Sequence, residues 1–306
     1  MRLAADIQPI SLRLVDTDLP AAARSFGDAF ARTGFAVVAD HGIDAALIRR
    51  ALAATRAFFA LPDAVKRRYH VEGQGGARGL TPFGIETARD ASAPDLKEFW
   101  HVGRTLPPGH PYRAVMPDNV WPAEVPDFHA SVQALYDALD VAGRRVLRAV
   151  AVHLGQASDF FEDPVRDGNS VLRLLHYPPV PADAPGLRAG AHEDINVVTL
   201  LLGAEEAGLQ LLDRPGEWRD VAAPPGSLVC NIGDMLQRLT GGQLPSTTHR
   251  VVNPAPERRG VARYSTPYFL HFRPDYMIET LPGGTPERPI TAHDFLMQRL
   301  REIKLL

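Results

Sequence analysis

The chain is poor in cysteine, in long apolar runs and in surplus charge, and each lack narrows what it can be. Its single cysteine, Cys230, cannot close an internal disulfide. Cys230 lies in the apolar run SLVCNI, where a small core residue is expected and not a reactive thiol. No run of about 18 apolar residues is present to span a bilayer. The N-terminal MRLAADIQPISLRL has no unbroken apolar stretch of the kind a secretory leader uses. The formal net charge is −3, so no basic surplus points to nucleic acid or to an anionic membrane. These features predict a protein of the reducing cytoplasm whose partner is a small molecule, with no nucleic-acid and no membrane partner. The 45% of hydrophobic and 23% of charged residues are ordinary for a globular chain, and 306 residues can bury one large core or two modest ones.

The first part of the chain mixes helix and strand. Residues 20–33 carry apolar residues at helical spacing and Gly34 is a stop signal. FAVVADHG, from Phe35, reads as a buried strand, and Asp44 caps a helix that ends at Pro62. Residues 72–122, rich in Gly and Pro, read as a long loop region. Over 127–154 the residues Val132, Leu135, Leu139, Ala142, Val146, Ala149 and His153 follow a three–four spacing closed by Gly155, a stripe suited to packing on a sheet. From Ser170 short strand-like runs succeed one another: VLRLLHY, INVVTLLLG, GLQLLD, EWRDVA, SLVCNIG, STTHRVVN and RYSTPYFLHF. Turn signals and no helical patterns separate them, which argues for an antiparallel sandwich or barrel. The tail, TAHDFLMQRLREIKLL, reads as an amphipathic helix.

Chemistry concentrates in three places. His192 and Asp194, in AHEDIN, stand two apart, and in extended chain residues i and i+2 point the same way. His249 opens another apolar strand 57 residues later and offers a second imidazole. Two histidines and one carboxylate on one face, with open positions opposite, form the arrangement used for oxygen-activating iron(II). Spacing alone leaves a plainer reading open, in which His192 pairs with Asp194 and His249 is a satisfied strand histidine. Arg263 and Ser265 repeat the i, i+2 pattern as a fork for a carboxylate. An internal Asp or Glu is the alternative partner for Arg263.

From Leu172 to about Phe272 the sequence resembles the isopenicillin N synthase-like and plant-type 2-oxoglutarate- and Fe(II)-dependent oxygenase superfamily. HEDINVVTLLLGAEEAGLQLL, GEWRDVAAPPGSLVCNIGDMLQRLT, PSTTHRVVNP and RYSTPYF carry the resemblance in order and spacing, and IQPISL, RTGFAVVADHGI and ATRAFFALP extend it to the N-terminal part. The resemblance implies a mainly β fold with α: a double-stranded β-helix, or jelly-roll, core with supporting helices. Residues 1–125 would form an N-terminal α/β accessory region with a substrate-loop segment. Residues 126–306 would hold the long supporting helix, the core and the C-terminal helix, all packed as one unit.

By the same resemblance His192, Asp194 and His249 match the metal ligands. Arg263 and Ser265 match the pair that binds the distal carboxylate of 2-oxoglutarate, and Tyr177, in LLHYPP, matches a tyrosine that adds its hydroxyl. Leu175 stands where plant enzymes often carry Asn, a departure that removes one polar contact to the co-substrate. Asn231, Gly233 and Asp234 resemble a structural turn and are assigned to the fold. The implied cofactors are Fe(2+), 2-oxoglutarate and O2, and the implied activity is oxidation of a small organic substrate, hydroxylation by default, with release of succinate and CO2. An oxidase like isopenicillin N synthase, which uses no 2-oxoglutarate, is the alternative that the HED form of the motif favours. A non-catalytic metal- or ligand-binding protein is the third reading. Substrate contacts are expected from GARGLTPFGIETA and DLKEFWHVGR, namely Arg78, Phe83, Phe99, Trp100 and His101.

Overall fold

The computed structural model describes residues 7–73, 76–86, 94–180, 187–202, 208–213 and 216–303. The last residues of GARGLTPFGIETA and of the tail therefore lie outside the described residues, as do parts of the turns near 181, 203 and 214.

Two antiparallel sheets face each other. With strands numbered in chain order, the larger sheet runs Pro9–Ser11 (β1), Phe35–Ala39 (β2), Leu228–Ile232 (β10), Val198–Leu202 (β7), Arg263–Leu270 (β12), Val171–Tyr177 (β5), Glu98–Gly103 (β4) and Gly79–Thr81 (β3). Only the β1–β2 pair in this sheet is parallel. The smaller sheet runs Ala189–His192 (β6), His249–Val251 (β11), Leu209–Leu212 (β8) and Trp218–Asp220 (β9). Phe35, Val37, Leu211 and Val229 pack between the two sheets and close one end of the sandwich. This is the double-stranded β-helix that the sequence leads one to expect.

Strands from both halves of the chain build the larger sheet. β2 pairs with β10, and β3 and β4 extend it beyond β5. The reading of 72–122 as loop is corrected here. β4, EFWHVG, is buried at every position, so it has no polar alternation to betray a strand. β6 also escaped detection, because AGAH carries no apolar run.

Helices cover the outer face of the larger sheet. The helix Leu19–Thr33 ends at Gly34, whose φ of 72° is left-handed and whose missing Cβ leaves room for the Pro245 carbonyl. Asp44 caps the next helix, Ala45–Phe59, by accepting from the amide of Ala46. The long helix Phe128–His153 buries Val132, Leu135, Leu139, Ala142, Val146 and Ala149. His153 departs from that stripe: it is exposed at the helix end, with its ring against Gly27 of the neighbouring helix. Trp100 is fully buried among Phe58, Phe128 and Tyr69, with ring centroids 4.7 to 5.5 Å away. The C-terminal helix, Ala292–Glu302, is capped by Thr291. Cys230 is buried in the core, and burial pushes its thiol far above the usual range.

Candidate metal centre and its cleft

The inner faces of the two sheets leave a cleft of about 560 Å³ that is open to solvent. His192 ends β6 and His249 begins β11, and the two residues stand directly opposite each other in that strand pair. Asp194 lies just past the end of β6, so the extended-chain argument holds for His192 and not for the carboxylate. A backbone clamp sets Asp194 instead. The amides of Asp234 and Met235, at the start of the helix Asp234–Leu239, donate to the carbonyls of Asp194 and Ile195. Gly233 precedes that helix in extended backbone, and a Cβ there would meet the Asn196 carbonyl at 2.2 Å.

One ligand atom from each of His192, Asp194 and His249 lies within 4.8 Å of the others. The remaining polar atoms of all three are already engaged. Nδ1 of His192 faces the Gly190 carbonyl at 2.8 Å, and Nδ1 of His249 faces the Thr247 carbonyl at 3.0 Å. A carbonyl only accepts, so both Nδ1 atoms carry the proton and both Nε2 lone pairs point inward. Oδ2 of Asp194 accepts from the Thr199 hydroxyl and from Asn231 Nδ2, leaving Oδ1 at 3.9 Å from His192 Nε2 and 3.8 Å from His249 Nε2.

The protonation states suit the same purpose. Burial, with the neighbouring His249, pushes His192 down to about 4, so its imidazole is neutral near pH 7. Burial raises Asp194, but the two histidines and the Asn231 and Thr199 hydrogen bonds outweigh it and hold the carboxyl below its usual range. Two imidazole nitrogens and one carboxylate, fixed by outer hydrogen bonds, fit a first-row divalent cation and would leave it net positive for anionic co-ligands. Asn231, expected to serve the fold alone, also orients this carboxylate, while Asp234 holds the Asp194 main chain through its amide. The missed signal was the polar side chain of Asn231 within the otherwise apolar strand LVCNI.

The cleft places Arg263, Ser265 and Tyr177 together. Arg263 stands opposite Tyr177 and Ser265 opposite Leu175 across β12 and β5. The Arg263 guanidinium lies 4.9 Å from the Tyr177 ring centroid, and its Nη1 donates to Ser265 Oγ at 3.1 Å. Leu175, where an amide was lacking, packs with Phe99 and Tyr177.

The five expected substrate residues fare differently. None of them lines the cleft. Phe83 is exposed away from it. Trp100 points into the core, because β4 alternates and its even-numbered residues face the helices. Arg78 is buried under Gly103 and donates to the carbonyls of Pro117 and Ala77, with burial lowering it to about 10. Phe99 and His101 do face the cleft side but stand behind Arg173, which takes the lining position. Lys97, Arg173 and Phe269 were missed as lining residues. Period-two alternation from Tyr177 back along VLRLLHY would have found Arg173, and alternation forward from Arg263 would have found Phe269.

A jelly roll with such a donor set at its mouth defines a class, the mononuclear non-haem metal oxygenases. Residues 168–272 match the 2OG-Fe(II) oxygenase superfamily, and residues 6–124 match the family described as non-haem dioxygenase in morphine synthesis N-terminal. A 2-oxoglutarate-Fe(II) type oxidoreductase of Aspergillus fumigatus is 35% identical over 285 residues, which span 88% of this chain and 83% of that protein. A crystal structure of a 2OG-Fe(II) oxygenase family protein from Caulobacter crescentus is 57% identical, with a TM-score of 0.91 over 98% of this chain and 100% of that one. A full-length Neurospora crassa protein, solved in complex with alpha-KG and thymine, is 27% identical, with a TM-score of 0.86 over 98% of this chain and 99% of that one. The chain belongs to the 2OG-Fe(II) oxygenase superfamily and is a non-haem iron dioxygenase that uses 2-oxoglutarate and O2. The relatives are named for 2-oxoglutarate, so the oxidase and non-catalytic alternatives give way. No helix among the described residues is long and apolar enough to cross a membrane.

Proposed function

We propose that the protein hydroxylates a small organic molecule, with His192, Asp194 and His249 as the iron ligands and Arg263, Ser265 and Tyr177 as the seat of the distal carboxylate of 2-oxoglutarate. One observation carries this reading: both histidine Nδ1 atoms and Asp194 Oδ2 are bonded away, leaving three donor atoms within 4.8 Å of each other. Iron supplies oxygen activation coupled to decarboxylation of 2-oxoglutarate to succinate and CO2. The chain supplies the rest. Arg263 and Ser265 donate to one end of the co-substrate, and Thr199 and Asn231 keep the Asp194 carboxylate turned toward the metal. Leu175, Leu201, Val251 and Pro267 give the cleft apolar walls.

In the same reading residues 1–125 are the accessory region that completes the sheet, and 126–306 carry the core. The Neurospora crassa protein has been seen with thymine, a small neutral ring, and a substrate of that size suits this cleft as well. The single buried thiol suits a reducing cytoplasm.

The test needs no primary substrate. Anaerobic 2-oxoglutarate added to the iron(II) protein should give a weak visible charge-transfer band, and succinate should form slowly once air is admitted. Replacing His192, Asp194 or His249 with Ala should abolish stoichiometric iron binding while the circular dichroism spectrum stays native. Full iron occupancy in any one of these variants removes that residue from the ligand set. Absence of both band and succinate in iron-loaded wild type removes the co-substrate assignment.

A further inference from the structure

The co-substrate reading uses only one end of the cleft. β5 brings a second cation into the same space. Arg173 shares the inward face of that strand with Leu175 and Tyr177, and it stands four residues before Tyr177, about 13 Å away by strand rise. Its neighbour across the cleft wall is Phe269, which pairs in register with Thr199, the residue whose hydroxyl donates to Asp194. Arg173 is therefore set beside the candidate metal ligands, at the end away from Arg263.

The guanidinium is fixed on every side but one. It lies 4.1 Å from the Phe99 ring centroid and 5.3 Å from that of Phe269. Nε donates to His101 Nε2 at 2.6 Å, and Nη1 stands 3.5 Å from Glu86. His101 is locked as the acceptor, because its Nδ1 hydrogen goes to the Gly76 carbonyl at 2.6 Å. Burial, reinforced by the charge of Arg173, keeps this imidazole well below its ordinary value and so neutral. No protein acceptor lies on Arg173 Nη2 among the described residues. Its ion-pair partners are already shared: Lys97 lies 2.7 Å from Glu86 and 2.8 Å from Asp95, so in this cluster two cations meet two carboxylates, while Arg78, whose charge also acts on His101, is turned to the Pro117 and Ala77 carbonyls. A carboxylate ligand would add an uncompensated charge to this cluster. A neutral oxygen would fill the open donor at a far smaller desolvation cost.

We propose that Arg173 is the specificity-determining residue for the primary substrate, donating from Nη2 to the uncharged carbonyl oxygen of a small amide, imide or ketone, with Phe269 as the apolar wall beside it. His101 is a positioning residue, which aims the guanidinium by accepting from Nε. This proposal rests on the metal and co-substrate reading above, since it assigns the end of the cleft which that reading leaves open.

Calorimetry on the anaerobic iron(II) protein saturated with 2-oxoglutarate tests it, with glutarimide, 2-piperidone and benzoate as probes. The two neutral carbonyl compounds should bind, and benzoate should bind more weakly than either. Arg173→Met should weaken glutarimide on the order of 10- to 100-fold, the value of a hydrogen bond from a charged donor. His101→Phe should lose part of that affinity, and His101→Gln, which restores an acceptor, should recover it without a change in melting temperature. If Arg173→Met fails to fold, Arg173→Lys keeps the charge but not the planar Nη2 and should still lose about 10-fold. Tighter binding of benzoate, no heat from either neutral probe, or unchanged glutarimide affinity in the Arg173 variants overturns the proposal. A missing charge-transfer band strikes the co-substrate assignment instead, and glutarimide titrated into the iron protein without 2-oxoglutarate then decides the role of Arg173 by the same comparison.

Discussion

On β4 and β5 the side chains alternate between two environments. Trp100, Val102, Leu172 and Leu174 face the helices, while Phe99, His101, Arg173, Leu175 and Tyr177 face the smaller sheet. Charged groups occur on both sides. On the helix side Glu98 is held by Lys66 at 2.7 Å and by His176 at 2.8 Å, and Asp140 joins Arg104, Arg144 and Tyr268. Burial pushes Glu98 upward, yet these partners outweigh it and hold the carboxyl below its usual range. On the cleft side Asp194 keeps Oδ1 and two imidazole lone pairs in reserve, and Arg173 keeps Nη2. Burial and charge are alike in the two regions. Hydrogen-bonding capacity that is left over and opens on the cleft is what separates the site from the core, where a leftover donor such as Trp100 Nε1 is sealed in.

That contrast predicts which substitutions damage stability and which damage binding. Trp100→Ala should have the largest effect, costing about 3–5 kcal/mol of stability by denaturant unfolding. Iron and 2-oxoglutarate affinities of its folded fraction should stay near wild type, and a selective loss of co-substrate affinity would break the division between the faces. On the cleft side the order should reverse. Arg263→Ala should weaken 2-oxoglutarate on the order of 100-fold and Arg263→Lys less, because the lysine keeps charge without the planar fork. Titration of the charge-transfer band reads both, and equal affinities in all three proteins would detach Arg263 from the co-substrate. Thr199→Val removes one of two donors from Asp194 Oδ2 while Asn231 remains. Metal affinity should fall about 10-fold, as for other outer-sphere partners, with little change in melting temperature.

The smallest expected effect near neutral pH comes from His271, which lies just past β12. Burial pushes it down to about 4, and its Nδ1 is bonded to the Phe269 carbonyl. Below its unfolded value near 6.5 the unfolded chain takes up a proton that the native chain refuses, down to about pH 4. His271 therefore lowers stability as pH falls through that window, by at most ~1.4 kcal/mol per pH unit. His271→Gln should flatten the slope of unfolding free energy against pH between 6.5 and 4. An unchanged slope would assign the acid sensitivity to other groups.

The candidate site was legible wherever it was local. HEDIN, STTHRVV and ARYST each fit within a few residues, and period-two alternation puts Arg263 with Ser265 and Arg173 with Tyr177 on shared faces. The helices were legible because stop and cap signals such as Gly34 and Asp44 act within one turn. The strand β4 was not, because a segment buried on both faces shows no alternation. Trp100 and His101 show the same limit at one residue's resolution: adjacent in sequence, they face opposite sides of the sheet, and only the pairing of β4 with β5 decides which faces the cleft. The sequence by itself determined the chemistry available at the mouth of the barrel, since ligand atoms and their spacing are properties of side chains. The tertiary structure decided which atoms remain available at Asp194 and Arg173, since that depends on partners such as Asn231 and His101, which reach the site from other strands through long-range pairing, whereas Gly190 and Thr247 lie two residues before the histidines they orient.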